Sequence, residues 1–227
     1  MSAEESHDLE PLPAGRHGYT REQVSHNQRE RLIAALAQVV NERGYNEITI
    51  ADITTAAHVS RRTFYEHFKS REDCFLAAFD VVMGHLHKLI AEATEEHEDW
   101  PHQVLAGLRA TLRFFASEPE LAHLCMVDSL TAGPTVAEHY RKEIFSFAPL
   151  LQPGRRERES PRELPDSTED TLIGSVASVL TRQVVGAPAE LEKLLPDFTA
   201  FILMPYLGPE EANRIAAESI ADSSSSS

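Results

Sequence analysis

The sequence predicts an all-α protein. Apolar residues recur at intervals of three and four from residue 25 almost to the end of the chain, which is the spacing of one helix face. No stretch alternates apolar and polar residues with the period of two that a half-buried strand requires. With 227 residues, of which 42% are hydrophobic, the chain is long enough to bury a sizeable core in one large or two small domains.

The composition predicts a cytoplasmic protein without a membrane partner. No run approaches the roughly 18 consecutive apolar residues of a membrane span. The amino terminus is acidic, whereas a secretory signal is basic and then apolar. The two cysteines, Cys74 and Cys125, lie in apolar helical stretches and lack the spacing of a disulfide framework, which favours a reducing compartment.

The net charge of −15 is unevenly distributed along the chain. Residues 16–70 carry eight Lys or Arg against six acidic residues, whereas residues 71–227 carry 13 against 26. Because electrostatic attraction at a contact is local, the overall negative charge does not exclude a polyanionic partner for the first of these segments.

Capping residues divide the amino-terminal third into short helices. Residues 1–24 contain several Pro and Gly residues and are predicted to form a flexible arm, followed by an amphipathic helix over 25–43. Thr49 is placed to cap a second, short helix, and Ser60 is placed to cap a third. Ser70, with Asp73 three residues later, predicts the start of a long helix that reaches about residue 97.

The rest of the chain is predicted to be helical apart from one charged, proline-containing linker at 152–167 and a low-complexity tail at 223–227. Pro196 is predicted to kink or split the helix that contains it. The predicted helices are 101–116, 119–130, 135–151, 168–186, 188–207 and 209–221.

The second and third helices have the lengths of a helix-turn-helix, with the first helix as a buttress. Phe64 and Phe68 share one face of the third helix, which leaves Arg61, Arg62 and Tyr65 to point elsewhere. An arginine guanidinium can donate two hydrogen bonds to the edge of guanine, and Thr, Tyr, His and Lys side chains can donate to phosphates. The residue types therefore fit a recognition helix that contacts double-stranded DNA.

The segment ITIADITTAAHVSRRTFYEHFKSREDCF resembles the helix-turn-helix signature of TetR-family transcriptional regulators. Two positions depart from the family pattern: His58 stands where the turn usually has Gly, and Arg71 stands where the fourth helix usually opens with Lys. The carboxy-terminal FILMPYLGPEEANRIA also resembles the ending of this family. The DNA-binding residues that follow from the motif are Thr49, Ser60, Arg61, Arg62, Thr63, Tyr65, His67, Lys69 and Arg71. Arg16, His17 and Arg21 of the arm are further candidates to reach a groove.

The resemblance implies a DNA-binding domain over 25–70 and a helical ligand-binding and dimerisation domain over 71–222. The ligand pocket is predicted from aromatic, Met and a few polar side chains: Phe79, Met83, Leu86, Trp100, Phe114, Phe115, His123, Met126, Tyr140 and Phe145, with Asp128 as a further polar candidate. The homodimer interface is predicted from two wide apolar stripes: Leu172, Ile173, Val176, Val179, Leu180, Phe198, Phe201 and Ile202.

The leading hypothesis is therefore a dimeric repressor that a small hydrophobic or amphipathic effector releases from a palindromic operator. Two other classes stay open: an all-helical small-molecule binding protein without DNA-binding activity, and a helical enzyme that uses His and Glu side chains. The sequence contains no nucleophile elbow and no phosphate-binding glycine loop, so an enzyme is not supported. His85 and His87 diverge around a helix, so we expect no metal and no cofactor.

Overall fold

The computed structural model describes residues 20–157 and 163–224, with side chains described as far as Ser219. Every regular element within these ranges is helical, which confirms the predicted fold class. Arg16 and His17 of the predicted arm lie outside the described residues, as does the end of the predicted tail.

The chain divides into two compact units. The first ends at Val81 and also contains Asp128–Ala137, and the second contains Val82–Val127 and the chain from Glu138 onward. The division falls inside a helix rather than at residue 70, because the first turns of that helix carry Cys74 and Phe75, which are completely buried.

The first helix, α1, extends from Arg21 to Arg43 and begins four residues earlier than predicted. The reason is a capping box at its start: the Gln23 N–H donates to Thr20 Oγ1 (3.2 Å), and the Thr20 N–H donates to Gln23 Oε1 (2.8 Å). The helix ends at Gly44, whose φ of 78° favours glycine. A single 3₁₀ turn at Tyr45–Glu47 follows.

Helices α2 (Ile50–Ala56) and α3 (Arg61–His67) start where their caps predict. Thr49 and Asp52 form a capping box on α2, and Ser60 Oγ accepts the Thr63 N–H (3.0 Å) on α3. Both caps satisfy amides that a helix start otherwise leaves without partners.

The long helix α4 spans Arg71–Glu95, and Ser70 Oγ accepts the Asp73 N–H (3.1 Å) at its start, as predicted. Among the described residues, it is the one helix long and apolar enough to cross a membrane by length and composition. Phe75, Phe79, Met83 and Leu86 of α4 are buried in the two units, so this apolar surface is used in protein packing.

The remaining elements follow the predicted helices with three differences. The predicted helix 119–130 is interrupted by a π-helical turn, the helix predicted to reach 151 ends at Phe145, and the predicted linker begins as a 3₁₀ helix. The elements are α5 (Trp100–Ser117), α6 (Pro119–His123), the π turn (Leu124–Asp128), α7 (Ser129–Thr131), α8 (Pro134–Phe145), a 3₁₀ helix (Ala148–Arg156) and α9 (Thr168–Gly186). They continue with a second 3₁₀ helix (Pro188–Leu194), α10 (Leu195–Leu207) and α11 (Pro209–Ser224).

Pro196 was predicted to kink or split the helix 188–207, and the structure shows that this helix is split. The split occurs between Leu194 and Leu195, so Pro196 lies in the first turn of α10, where its missing N–H would have no helical partner in any case.

Candidate functional site

The turn between α2 and α3 sets the direction in which α3 leaves. His58 in this turn has φ 51°, the left-handed conformation expected from its place in the motif. The Val59 N–H donates to the Thr54 carbonyl (3.0 Å), and the His58 N–H donates to the Thr55 carbonyl (3.2 Å). These two bonds close the end of α2 and allow α3 to start two residues later.

A buried arginine of α1 holds the same turn. Arg31 is 8% exposed, and its Nη2 donates to the carbonyl oxygens of Ala57 and His58. Burial lowers the pKa of Arg31, but an arginine stays protonated in proteins, so the positive charge remains at the carbonyl end of α2. The sequence interpretation missed Arg31, although an arginine directly before the apolar stripe of α1 is a usable signal.

Helix α3 presents its polar side chains to solvent and buries Phe64 completely. Tyr65 is 50% exposed, and the Arg61 guanidinium lies over its ring at 5.8 Å from the centroid. Arg62 has 89% of its side chain exposed and pairs with Glu66 at 3.1 Å. An exposed i,i+4 pair of this kind contributes little to stability, so Arg62 can exchange Glu66 for another anion at small cost.

The other predicted DNA-binding residues have mixed roles. The hydroxyls of Ser60 and Thr63 lie 2.9 Å apart at the start of α3, and Thr49 caps α2. His67 is partly buried, its Nε2 lies 3.5 Å from Gln28 Oε1, and burial lowers its pKa. Lys69 is exposed, and its backbone N–H donates to Asp73 Oδ2 (2.8 Å).

Arg71 is an internal brace in this structure. Its guanidinium lies over the ring of Tyr45 at 4.1 Å, and its Nη1 donates to the carbonyl oxygen of Ile48, directly before the Thr49 cap. The position therefore links the start of α4 to the start of α2. The motif predicts a DNA contact for Arg71, and the structure adds this contact with an aromatic ring and a carbonyl group.

The second unit contains an apolar cavity of about 180 Å³. Its wall is formed mainly by α4, α5, the 3₁₀ helix at 148–156, α9 and α10. The residues are Met83, Leu86, Ile90, Thr94, Trp100, Gln103, Val104, Gly107, Leu108, Thr111, Phe115, Met126, Ile144, Phe147, Leu150, Leu151, Ile173, Val176, Ala177, Leu180 and Ile202.

Half of the predicted pocket residues are on this wall and half are not. Met83, Leu86, Trp100, Phe115 and Met126 line the cavity. The others lie elsewhere, because aromatic content indicates core but not which side of the core is empty: Phe79, Phe114, His123, Tyr140 and Phe145.

Asp128, a candidate polar group of the pocket, belongs to the first unit instead. It is 5% exposed, and its Oδ1 accepts the Tyr45 N–H at 3.4 Å. The unpredicted π turn ends at Asp128, and Met126, two residues earlier, lines the cavity of the second unit.

Four residues of the predicted dimer interface line the cavity: Ile173, Val176, Leu180 and Ile202. Leu172 and Phe198 are also buried within the single chain, at 5% exposure each. These side chains therefore belong to the protein's own core. An apolar stripe predicts that a helix face is buried, but it does not show which element covers that face. Phe201 of the predicted set is exposed, and so are Met204 and Val185, which the prediction did not include.

Trp100 of the cavity wall is held by contacts on several sides. Its Nε1 donates to the Leu150 carbonyl (3.0 Å), and its ring meets Tyr206 edge-on at 5.0 Å. The ring also covers Gly154 so closely that a Cβ at this position would collide with it. The 3₁₀ helix at 148–156 is thereby attached to α5.

His102, two residues after Trp100, connects two carboxylates. Its Nδ1 lies 2.6 Å from Asp99 Oδ1, and its Nε2 lies 2.9 Å from Glu218 Oε2 on α11. The hydrogen bonds to Asp99 and Glu218 raise the pKa of His102, since both ring nitrogens must carry protons to donate to them.

The described residues contain no cluster of three or more His, Cys, Asp or Glu side chains that could hold a metal ion. Both cysteines are buried, and burial raises the pKa of Cys74 to about 12 and raises the pKa of Cys125 as well. Neither thiol therefore has the thiolate character that nucleophilic or redox chemistry requires.

Comparisons with known proteins agree with this arrangement. Residues 32–78 match the family described as bacterial regulatory proteins, tetR family. The HTH-type transcriptional regulator EthR of Mycolicibacterium smegmatis is 26% identical over 147 residues, which cover 62% of this chain and 67% of that protein. The HTH-type transcriptional repressor DhaR of a Mycobacterium species is 46% identical over 68 residues, which cover 30% of this chain and 34% of DhaR.

The fold is also similar to that of solved structures. A transcriptional regulator FadR from Bacillus subtilis, in complex with stearoyl-CoA, aligns with a TM-score of 0.67 at 18% identity. The alignment covers 79% of this chain and 98% of that chain, so it includes both units described above.

Proposed function

The chain belongs to the tetR family of bacterial transcriptional regulators, and we propose that it is a repressor that binds a palindromic operator and is released by a small hydrophobic or amphipathic molecule. Such a regulator works in the cytoplasm, where the chromosome is, and needs no cofactor. The observation that carries the proposal is the set of exposed Arg61, Arg62 and Tyr65 side chains on a helix whose start is capped and whose other face is buried.

Recognition of DNA by α3 follows from the chemistry of these three residues. Arg61 and Arg62 lie in the first turn, the part of a recognition helix that meets base edges in the major groove. Either guanidinium can fork onto O6 and N7 of a guanine. The Tyr65 hydroxyl, 3.5 Å from Arg61 Nη2, is suited to donate to a phosphate, which fixes register without reading sequence.

Response to a ligand is supported by the cavity of the second unit. An apolar wall with few polar groups is the usual form of a small-molecule site. The regulator FadR of Bacillus subtilis, which shares this fold, was solved with stearoyl-CoA. We propose that the effector of this chain occupies the cavity and favours a state that binds the operator less tightly; a 100-fold loss of affinity requires about 2.7 kcal/mol of difference between the two states.

A homodimer is proposed from the exposed apolar residues of α9 and α10. Val185, Phe201 and Met204 are 43% to 63% exposed, which is costly for large apolar side chains in water. Two copies related by a two-fold axis would cover these residues and present two recognition helices. Their separation would then be one DNA turn, ~34–36 Å, or a multiple of it, as a palindromic operator requires.

The test is a gel shift with the DNA upstream of the chain's own gene. We expect a discrete complex that Arg61→Ala or Arg62→Ala weakens by about 1–3 kcal/mol if the side chain forks onto a guanine. Tyr65→Phe should weaken binding to all sequences alike. Arg156→Ala, an exposed arginine of the second unit, is the matched control and should bind as the wild type does.

Binding should also fall steeply with added salt, because only the basic amino-terminal segment meets the phosphates and the rest of the chain is strongly acidic. Absence of a specific complex would favour the alternative function, a small-molecule binding protein without DNA-binding activity. Equal effects of Arg61→Ala and Arg156→Ala would contradict the assignment of α3.

A further inference from the structure

We infer that the cavity accepts uncharged, mostly apolar ligands such as long-chain alcohols or esters and excludes organic anions and cations of the same length. The inference rests on the proposed function, since it names the chemical class of the effector. It follows from the polar groups of the wall and from what each of them already bonds.

None of the residues that the structure places on the wall has an ionisable side chain. A charged group brought into this space would lose its hydration and gain no opposite charge. The cost of such burial exceeds the gain from the apolar part of an ordinary ligand, so an acid would bind mainly in its protonated form.

Each polar side chain of the wall already donates a hydrogen bond within the fold. Thr94 Oγ1 donates to the Ala91 carbonyl (3.0 Å), and Thr111 Oγ1 donates to the Gly107 carbonyl (2.8 Å). Gln103 Nε2 donates to the His97 carbonyl (2.9 Å), and Trp100 Nε1 donates to Leu150 as described.

This pattern distinguishes donors from acceptors among ligands. A hydroxyl oxygen that has given its proton to the helix still has a lone pair, so it can accept a hydrogen bond from an alcohol. A carboxylate has no proton to give and needs several donors, whereas on this wall both hydroxyls, the indole N–H and one amide N–H of Gln103 are already engaged. The site therefore favours a neutral hydroxyl over a carboxylate for a reason beyond desolvation.

The cavity reaches the surface at Leu150, which lines it and is 52% exposed. Arg155, farther along the same 3₁₀ helix, does not offer a free cation there. Its Nε and Nη2 donate to the two carboxylate oxygens of Glu169 at 2.8 and 2.6 Å. The opening thus admits an apolar chain without an evident partner for an anionic end.

Trp100 provides the measurement, because it is the single tryptophan of the chain and lies on the cavity wall. Full-length protein is titrated at about pH 7.5 with decanol, decanoate and decylammonium, and the intrinsic fluorescence is recorded. We expect decanol to bind at least roughly tenfold more tightly than either ion. Equal affinity for decanol and for either ion would overturn the inference.

A charge placed on the wall should change this order. In Gln103→Arg, decanoate gains a partner, so its affinity relative to decanol should rise at least roughly tenfold. Gln183→Arg is the matched control, because Gln183 also donates to a carbonyl, that of Ala187 (3.0 Å), but does not line the cavity. An unchanged ratio in Gln103→Arg, or an equal change in the control, would contradict the proposed site.

A second measurement needs no variant. Lowering the pH should strengthen the binding of decanoic acid to the wild type as the ligand becomes protonated, while decanol binding stays constant; a pH-independent decanoate affinity would again overturn the inference. Because fluorescence is read without DNA, the two proposals fail separately. Decanol binding by a protein that shifts no DNA would disprove the repressor and leave the ligand class standing.

Discussion

At the scale of single residues, the most consequential contacts are made by one buried and one partly buried arginine. Arg31 and Arg71 both donate to backbone carbonyls next to the short helices, Arg31 at the end of α2 and Arg71 just before its start. The proposed recognition helix is thus oriented by one buried and one partly buried positive charge. A guanidinium suits this role because it presents several donors in a fixed plane.

We predict that Arg31→Lys reduces operator affinity by roughly tenfold or more while affinity for random DNA changes little, because an ammonium lacks the guanidinium fork and the turn at His58 loses support. Gly takes the positive φ of position 58 at no steric cost, so adding His58→Gly should restore part of the loss. Gel shifts with operator and random DNA measure both effects.

Arg29→Lys, two residues away and 41% exposed at its side chain, is the control for Arg31→Lys and should have little effect. If His58→Gly restored nothing, Arg31 would act on stability in general and not on the turn.

At the scale of elements, the 3₁₀ helix at Ala148–Arg156 forms part of the cavity wall and is not the start of an exposed linker. It is attached to α5 through the Trp100 indole and to α9 through the Arg155–Glu169 ion pair, with Tyr206 Oη donating to Glu169 Oε1 (3.0 Å). The partly exposed Arg155 holds the pKa of the buried Glu169 carboxyl below its usual range. These bonds hold the short 3₁₀ helix against α5 and α9.

Gly154→Ala should therefore destabilise the second unit by about 1–3 kcal/mol and shift the fluorescence maximum of Trp100, because the new methyl group displaces the indole. Chemical denaturation followed by fluorescence measures both quantities. Gly186→Ala is the matched control, since a Cβ there meets no atom within 4 Å. An unshifted spectrum in Gly154→Ala would show that the ring does not lie on this glycine in solution.

The attachment of α5 to α11 should depend on pH through His102. Its pKa is raised in the folded chain, so its stabilising contribution is complete below the ordinary histidine pKa, about 6.5, and is lost as pH rises through the raised value. We expect the difference in Tm between wild type and His102→Gln to shrink between about pH 6 and about pH 8.5. His26→Gln, at an exposed position of α1, should show no such trend. A Tm difference that stays constant across this pH range would show that protonated His102 does not stabilise the attachment of α5 to α11.

At the scale of the whole molecule, the proposed function requires a second copy, because one recognition helix would cover half of a palindromic site. The apolar stripes of α9 and α10 are divided between two uses: residues such as Val176 and Ile202 line the cavity, while Val185, Phe201 and Met204 face outward. These three exposed residues are therefore the ones that a second copy could cover.

Phe201→Arg should convert the proposed dimer to a monomer at micromolar concentration, because two cations would meet across the two-fold axis. Light scattering gives the mass, and the gel shift should show weaker operator binding, while decanol affinity is preserved. Val81→Arg, an equally exposed apolar position at 47%, is the control and should leave the mass unchanged. A wild-type protein that is already monomeric would disprove the dimer.

The sequence by itself determined the helical class, the capped short helices and the turn at His58. These features depend on hydrogen bonds between residues three apart, such as Ser60 with Thr63, and such bonds can be recognised without knowledge of the rest of the chain. The family resemblance depends on the same segment, which is why it was recognisable.

Only the tertiary structure decided what the apolar and charged residues face. Periodicity identifies the buried side of a helix but not the element that covers it, so Val176 was assigned to a dimer interface when it lines the cavity, and Phe79 was assigned to the cavity when it belongs to the first unit. Arg71 was predicted only as a DNA contact, and the structure shows that it also braces Tyr45. The physical reason is common to all three: burial and pairing are decided by contacts between residues far apart in the chain, and local sequence carries no record of them.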